Sequence, residues 1–188
     1  IGSEAIQVWS DILTAVPGSQ LLLKYRSFSD PETRDYFSNR FAIHGIDHER
    51  ISFLGLTPDK RRHLSAYNDV DIALDSFPYN GTTTTCDTLW MGVPVVTLNG
   101  GCHAGRVGVS LLRQVGLEEL IAASADQYVT FAVALAGDTA RLEQYRSTLR
   151  GIMGKSGLCD PESFMGELEG VFRDLWTQWC LAQGGRSR

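Results

Sequence analysis

From Asp71 to Leu98 the chain reads as a short apolar strand, a polar turn, a helix and a second apolar strand. No other stretch limits the possible folds so sharply. Asp71-Ile72-Ala73-Leu74 is the first strand and Val93 to Leu98 the second. Between them, Ser76-Phe77-Pro78-Tyr79-Asn80-Gly81 supplies turn residues, and Thr82-Thr83-Thr84-Thr85 opens the helix. Threonine is a poor residue inside a helix and a good one at its start. In an open parallel sheet, such a strand-to-helix crossing is where anions are held. Free backbone N–H groups and the helix dipole both point at the ligand there.

The flanking sequence has the same alternation. Ser3 can cap a helix through about Val16, with Ile6, Trp9, Ile12, Leu13 and Val16 at helical spacing. Gln20 to Tyr25 is a strand. Ser29-Asp30-Pro31-Glu32 starts a helix running to about Ile43 and ending near Gly45. Arg50 to Leu54 is the next strand. Thr57-Pro58-Asp59-Lys60 opens a helix with His63, Leu64 and Tyr67 near one face, and Asn68-Asp69 ends it. After Leu98, a loop over Asn99 to His103 leads to a helix from Ala104 to about Val115, capped by Gly116. Glu119 to Ala122 is a weaker strand. Ser124-Ala125-Asp126-Gln127 caps a helix through Leu135. Further helices span Thr139 to Met153 and Pro161 to Gln183, and Gly184 to Arg188 is a frayed basic tail. Phe164, Leu168, Val171, Phe172, Leu175 and Trp179 lie on one side of the last helix. With Trp176, its aromatics are expected to pack in a core or between lobes.

This alternation predicts an α/β, Rossmann-like parallel sheet with helices on both faces. No repeat, low-complexity segment or interior linker interrupts it, so residues 1–188 read as a single domain. There is no GxGxxG fingerprint, which argues against a dinucleotide oxidoreductase. The formal charge of −5 argues against general nucleic-acid binding. No apolar run is long enough to cross a membrane, and Ile1-Gly2-Ser3-Glu4 does not begin a signal peptide. Cys86, Cys102, Cys159 and Cys180 are too widely spaced for a zinc site or a disulfide framework. They are expected as reduced thiols, mostly packed as small apolar groups, which implies a cytoplasmic setting. The chain opens without methionine and is expected to be a piece of a larger protein.

Several side chains could serve the anion site. Four successive threonines after a permissive Asn80-Gly81 turn can line it with hydroxyls, although a cap plus β-branched packing also explains them. Asp87, about a turn further on, can accept from the two hydroxyls of a ribose, or simply interact with the helix dipole. His63 can stack on a base or serve as an ordinary packing residue. Lys60, one turn earlier, can reach a ribose or phosphate or stay solvated. His103 and Arg106 open the helix after Leu98 and can face the same cleft, as can Gly81 and Thr85. Asp75 is expected to cap local amides or shape the loop. His44 and His48 flank a turn without evident partners. No nucleophile elbow, metal-ligand cluster or paired-carboxylate signature is present.

The stretch Leu74 to Asp87 resembles glycosyltransferase family 41, the O-GlcNAc transferase and SPINDLY proteins. The resemblance extends over nearly the whole chain: Trp90-Met91-Gly92-Val93-Pro94-Val95-Val96-Thr97, His103-Ala104, Val107-Gly108-Val109-Ser110-Leu111-Leu112, and the helix from Leu168 to Trp176. The Phe-Pro-Tyr, Thr-Thr-Thr-Thr-Cys and Val-Gly-Val-Ser-Leu-Leu pieces look more like the SPINDLY branch and its bacterial relatives. The resemblance implies the C-terminal lobe of a GT-B glycosyltransferase, ending in a long helix. It also implies sugar transfer from a nucleotide donor to Ser or Thr of proteins, without metal or other cofactor.

By the same resemblance, Thr83 and Thr84 match the pair on the diphosphate, Asp87 the acid that holds the ribose, and His63 the histidine beside the base. Lys60 resembles a ribose-contacting lysine if the match shifts by one residue after Pro58. Thr82 stands where O-GlcNAc transferases carry a histidine, and Ala66 where the animal enzymes carry an arginine near the uracil. These departures leave the donor open between UDP-GlcNAc and GDP-fucose. The family's main diphosphate lysine would lie upstream of Ile1. The protein acceptor would be bound by an N-terminal lobe and tetratricopeptide repeats outside these residues, so the fragment alone is expected to be inactive. No residue is assigned as catalytic base. The other open readings are a non-catalytic nucleotide-binding or interaction domain, and a GT-B transferase acting on a small molecule.

Overall fold

The computed structural model describes residues 1–184, so the tail expected at the C-terminus lies outside the described residues from position 185 onward. Helix α1 spans Ser3–Ala15 and turns Ile6, Trp9, Ile12 and Leu13 into the core. Its cap is Gly2 and no side chain serves there, so Ser3 is the first helical residue and not the predicted cap. Strand β1, Leu21–Lys24, follows. Helix α2, Pro31–Ala42, has proline in its first turn and Asp30 as cap, accepting from the Thr33 N–H at 2.9 Å. Strand β2 is Ile51–Leu54. Helix α3 is Lys60–Ser65, capped by Asp59, and a 3-10 turn over Ala66–Asp69 extends it.

Strand β3 is only Ala73–Leu74, shorter than predicted, and pairs on one side, with β4. Helix α4 is Thr83–Trp90 and strand β4 is Val95–Leu98. Gly92 turns the chain between them at φ +77, and a Cβ there would stand 2.6 Å from the Arg146 carbonyl. Helix α5 is Val107–Gln114, preceded by a 3-10 turn at His103–Gly105. Strand β5 is Ile121–Ala122, with Glu118–Leu120 in a 3-10 turn where the strand was expected to begin. Helices α6, Ala125–Ala136, α7, Thr139–Gly154, and α8, Pro161–Gly184, complete the chain.

All strand pairs are parallel, with helices making the crossovers. They form two sheets, not one: β1 with β2, and β3-β4-β5. β4 is the most buried strand, with Val95, Val96 and Thr97 at 1% exposure or less. A near-continuous apolar run suits a strand covered on both faces. Helix α1 packs on α6, while α4 packs against α5 and α7. Tyr128 of α6 is fully buried, and its hydroxyl donates to the Asp75 carbonyl at 2.9 Å. Arg146 of α7 donates to the carbonyls of Tyr67, Val70 and Met91, tying the turns before β3 and after α4 together.

Two packing expectations change. Cys102, Cys159 and Cys180 are exposed thiols, and only Cys86 is half-buried. The aromatic stripe of α8 is not in the core: Phe164, Phe172, Trp176 and Trp179 are all exposed, because α8 leaves the body after the turn at Gly157–Cys159. No helix of the described residues is long and apolar enough to cross a membrane.

Candidate functional site at the N-terminus of helix α4

The segment from β3 to α4 is fixed by buried polar contacts. Asp75 follows β3 and turns inward. Its Oδ1 accepts from the Gly81 N–H at 2.8 Å, and its Oδ2 from the Thr97 hydroxyl at 2.8 Å. Asn80, 1% exposed, donates from Nδ2 to the Ser76 carbonyl at 3.0 Å and accepts at Oδ1 from the Gly108 N–H at 3.2 Å. Its backbone N–H donates to the Ala104 carbonyl at 2.9 Å. The start of α4 is therefore held from β3, β4 and α5 together. Burial raises the Asp75 carboxyl to about 6 against the opposing donors Gly81, Thr97 and Ser76.

Helix α4 begins without a side-chain cap. The first helical bond runs from the Cys86 N–H to the Thr82 carbonyl at 3.0 Å. The N–H groups of Thr83, Thr84 and Thr85 precede it and have no partner among the described residues. Thr82, Thr83 and Thr84 are exposed. Thr85 and Thr88 instead face inward and bond back to the carbonyls of Gly81 and Thr84, at 3.1 and 2.7 Å. The Thr85 hydroxyl is thus engaged in holding the turn. Three N–H donors, two adjacent exposed hydroxyls and the positive end of the helix suit a phosphate oxygen at this point.

Asp87 sits one turn along and is bridged to the neighbouring elements. The Lys24 ammonium, at the end of β1, donates to His63 Nδ1 at 2.6 Å. That leaves the imidazole proton on Nε2, which donates to Asp87 Oδ2 at 3.3 Å. Partial burial lowers the Lys24 pKa, and the nearby Asp87 carboxylate offsets part of this. Tyr67 closes the group from below, its ring edge-on to His63 with centroids 5.7 Å apart. Lys24, His63, Tyr67, Ser76, Gly81 and Thr84 line one end of a cavity of about 1340 Å³. Lys60 and Asp87 line a separate, smaller depression of about 230 Å³ together with Leu64, Cys86 and Trp90.

Of the residues expected at the site, His63 and Thr84 line the larger cavity, Asp87 bonds to His63 and lines the smaller depression with Lys60, and Thr83 is exposed at the start of α4 and lines neither. Thr82 occupies the cap position without capping. His103 and Arg106 are exposed on the loop tied to Asn80, and neither lines the cavity. Two features escaped the sequence reading. Lys24 was legible only as the last charged residue of a strand, yet the C-terminal ends of parallel strands are where ligands are met. The Asp75 contact with the Gly81 N–H is the amide-capping role expected of it, but the Asp75–Thr97 and Asn80–Gly108 bonds, across 22 and 28 positions, left no local pattern. Among the described residues, no group of three or more His, Cys, Asp or Glu is placed to hold a metal ion.

Residues 1–168 match the family model described as glycosyl transferase family 41. The chain is 45% identical over 180 residues to a "probable UDP-N-acetylglucosamine–peptide N-acetylglucosaminyltransferase SPINDLY" of Oryza sativa subsp. japonica, covering 96% of this chain and 19% of that protein. A protein of the same name from Arabidopsis thaliana is 43% identical over 183 residues, with 97% and 20% covered. A UDP-N-acetylglucosamine–peptide N-acetylglucosaminyltransferase of Caenorhabditis elegans is 31% identical over 180 residues, with 95% and 15% covered. The chain therefore spans about a fifth of the length of its plant relatives. Among solved structures, a mutant O-GlcNAc transferase from Thermobaculum terrenum superposes with a TM-score of 0.91 at 38% identity, covering 97% of this chain and 35% of that one. The fold is that of a GT-B catalytic lobe.

Proposed function

The chain belongs to glycosyl transferase family 41, and we propose that it forms the nucleotide-sugar-binding lobe of a protein O-glycosyltransferase. Its donor is UDP-GlcNAc or GDP-fucose, and its acceptors are Ser or Thr hydroxyls of proteins. The observation that carries this reading is the uncapped N-terminus of α4. Its three free N–H groups and the exposed hydroxyls of Thr83 and Thr84 stand one turn from Asp87. A diphosphate on the donors places a ribose diol toward Asp87 and a base toward His63 and Tyr67. Lys24 and Lys60 flank that position.

The same contacts assist bond cleavage. As the glycosidic bond to the diphosphate breaks, negative charge grows on the leaving oxygen. Fixed N–H dipoles aimed at that charge stabilise it most when it is fully developed, and they need no reorganisation. The clasp through Asp75 and Asn80 holds those dipoles in place. The acceptor is bound by regions outside these residues, so the purified 188-residue chain binds nucleotide weakly and transfers no sugar. Residues 1–188 act as one domain and unfold in a single transition.

Titration calorimetry with UDP and with GDP tests the reading. Binding of either supports it, and the preferred base indicates the donor. Asp87→Ala should weaken that binding by about 1–3 kcal/mol, through loss of the ribose hydrogen bonds. A folded chain that binds neither nucleotide would sink the proposal in favour of an interaction domain of the same fold.

A further inference from the structure

The segment after β2 carries cations that the nucleotide position does not use. Lys60, Arg61 and Arg62 fill the first turn of α3, and all three are exposed. Their side chains make no ion pair or hydrogen bond among the described residues. The adjacent carboxylate, Asp59, is engaged as the helix cap, accepting from the Arg62 N–H at 2.7 Å. The dipole opposes cations in the first turn of a helix, and no acid shares that turn with them. A local rule is thus broken three times in succession with no contact in return. Natural chains break such rules mainly at functional sites.

The end of β1 extends this surface. The loop after β2 lies so close to the 3-10 turn Arg26–Ser29 that a Cβ on Gly55 would stand 2.3 Å from Ser29 Oγ. The Leu56 N–H donates to that hydroxyl at 3.4 Å, and the Tyr25 N–H donates to the Leu54 carbonyl at 3.1 Å. Tyr25 and Arg26 are therefore held beside Leu56, just ahead of α3. Arg26 is exposed. Tyr25 is 59% exposed and Leu56 78%, so two large apolar side chains face solvent among the cations. Lys24 ties this end of β1 to α3 through its bond to His63. Asp30, the acid closest to Arg26 in the chain, is engaged as the cap of α2.

We propose that Arg26, Lys60, Arg61 and Arg62, with Tyr25 and Leu56, form an interaction surface for an acidic stretch of polypeptide. The cations attract Asp or Glu, while Tyr25 and Leu56 let an apolar side chain of the partner leave water. Arginine and tyrosine are enriched where protein partners meet. A merely solvated face needs neither exposed apolar groups nor cations set against a helix dipole. Nucleic acid is a poorer match, because the chain carries a formal charge of −5 and the rim is short. The surface stands whether or not α4 holds a nucleotide. On the donor reading, on which this last step rests, the acidic stretch flanks the hydroxyl that receives the sugar, and the rim adds to acceptor binding by regions outside these residues.

Fluorescence anisotropy on the 188-residue chain tests it, with a labelled peptide carrying Glu on both sides of a Ser-Leu step. At low salt this peptide should bind roughly tenfold more tightly than the same peptide with Gln in place of Glu, and high salt should erase the difference. Arg61→Glu combined with Arg62→Glu should abolish the preference for Glu. The Tm of that variant should equal or exceed that of the wild type, because acids suit the first turn of a helix. Its UDP and GDP binding should be unchanged, since neither arginine lines the cavity or the depression beside Asp87. Equal affinity for the two peptides, or a preference that survives the double substitution, would overturn the proposal. So would a lower Tm in the variant, which would mean the cations serve the fold. Equal binding of an RNA oligonucleotide of the same charge would overturn it too, as would displacement of the peptide by UDP, GDP or pyrophosphate, which would put the acidic stretch at α4. Absence of nucleotide binding would remove the donor reading alone and leave this surface standing.

Discussion

Asp75→Asn separates the two forces acting on the buried carboxylate beneath the site. Asp75 is 7% exposed and holds two donors, the Gly81 N–H and the Thr97 hydroxyl. Those hydrogen bonds favour the charged form and burial opposes it. Burial wins, and the carboxyl rises from 3.8 to about 6. A rise of that size means the fold favours the protonated form by about 3 kcal/mol. The folded state therefore holds a proton on Asp75 over a pH range where the unfolded chain has released it. This stabilisation is complete below pH 3.8 and is lost as pH rises through about 6.

Asparagine is similar in shape and carries no charge. Its oxygen can accept from Gly81, and its amide can donate to Thr97 after the hydroxyl rotates. At pH 7.5 the substitution should cost little, within about 1 kcal/mol. Near pH 4 the wild-type chain should be more stable than the variant by about 2.4 kcal/mol relative to that baseline. Urea unfolding of both proteins from pH 4 to 7.5 gives this difference directly, because other titrating groups cancel. A difference that stays flat, or grows with pH, would refute the reasoning. It would show that Gly81 and Thr97 outweigh burial.

Three further outcomes follow from the same contacts. With Lys24 donating to Nδ1, the neutral His63 ring should carry its proton on Nε2 in nitrogen-detected spectra, and Lys24→Met should release that preference and weaken nucleotide binding by about 1 kcal/mol. Gly108→Ala pushes a methyl group into Thr97 Oγ1 and Asp75 Oδ2, and should destabilise the chain by about 1–3 kcal/mol, seen as a Tm lower by roughly 3–10 °C. A chain ending at Asp160 should keep its Tm within about 2 °C, since the α8 stripe is exposed and covers little of the core; a large drop would show that α8 docks on the body.

Much of this protein was legible in its sequence because local chemistry decides it. Asp30 and Ser124 cap the helices they were expected to cap, through bonds to Thr33 and Gln127 that depend only on three-residue spacing. The turn from Asp75 to Gly81 and the threonines that follow placed the start of α4. The threonines did not reveal which hydroxyls face out. That is settled by which side of α4 packs against the body, and it assigns Thr85 and Thr88 to the helix and leaves Thr83 and Thr84 exposed. Cysteine composition could not say that three thiols stay exposed, and amphipathic spacing could not say that α8 would leave the body. Both depend on what other segment is available to cover a face. Lys24 and His63 are 39 residues apart, and Asp75 and Thr97 are 22 apart. Neither pair has a periodicity to betray it. The sequence by itself determined the elements and the anion-binding end of α4, since capping and hydrophobic period act over a few residues. Only the tertiary structure decided which charges meet there, since that follows from strand order, which brings distant residues to one edge.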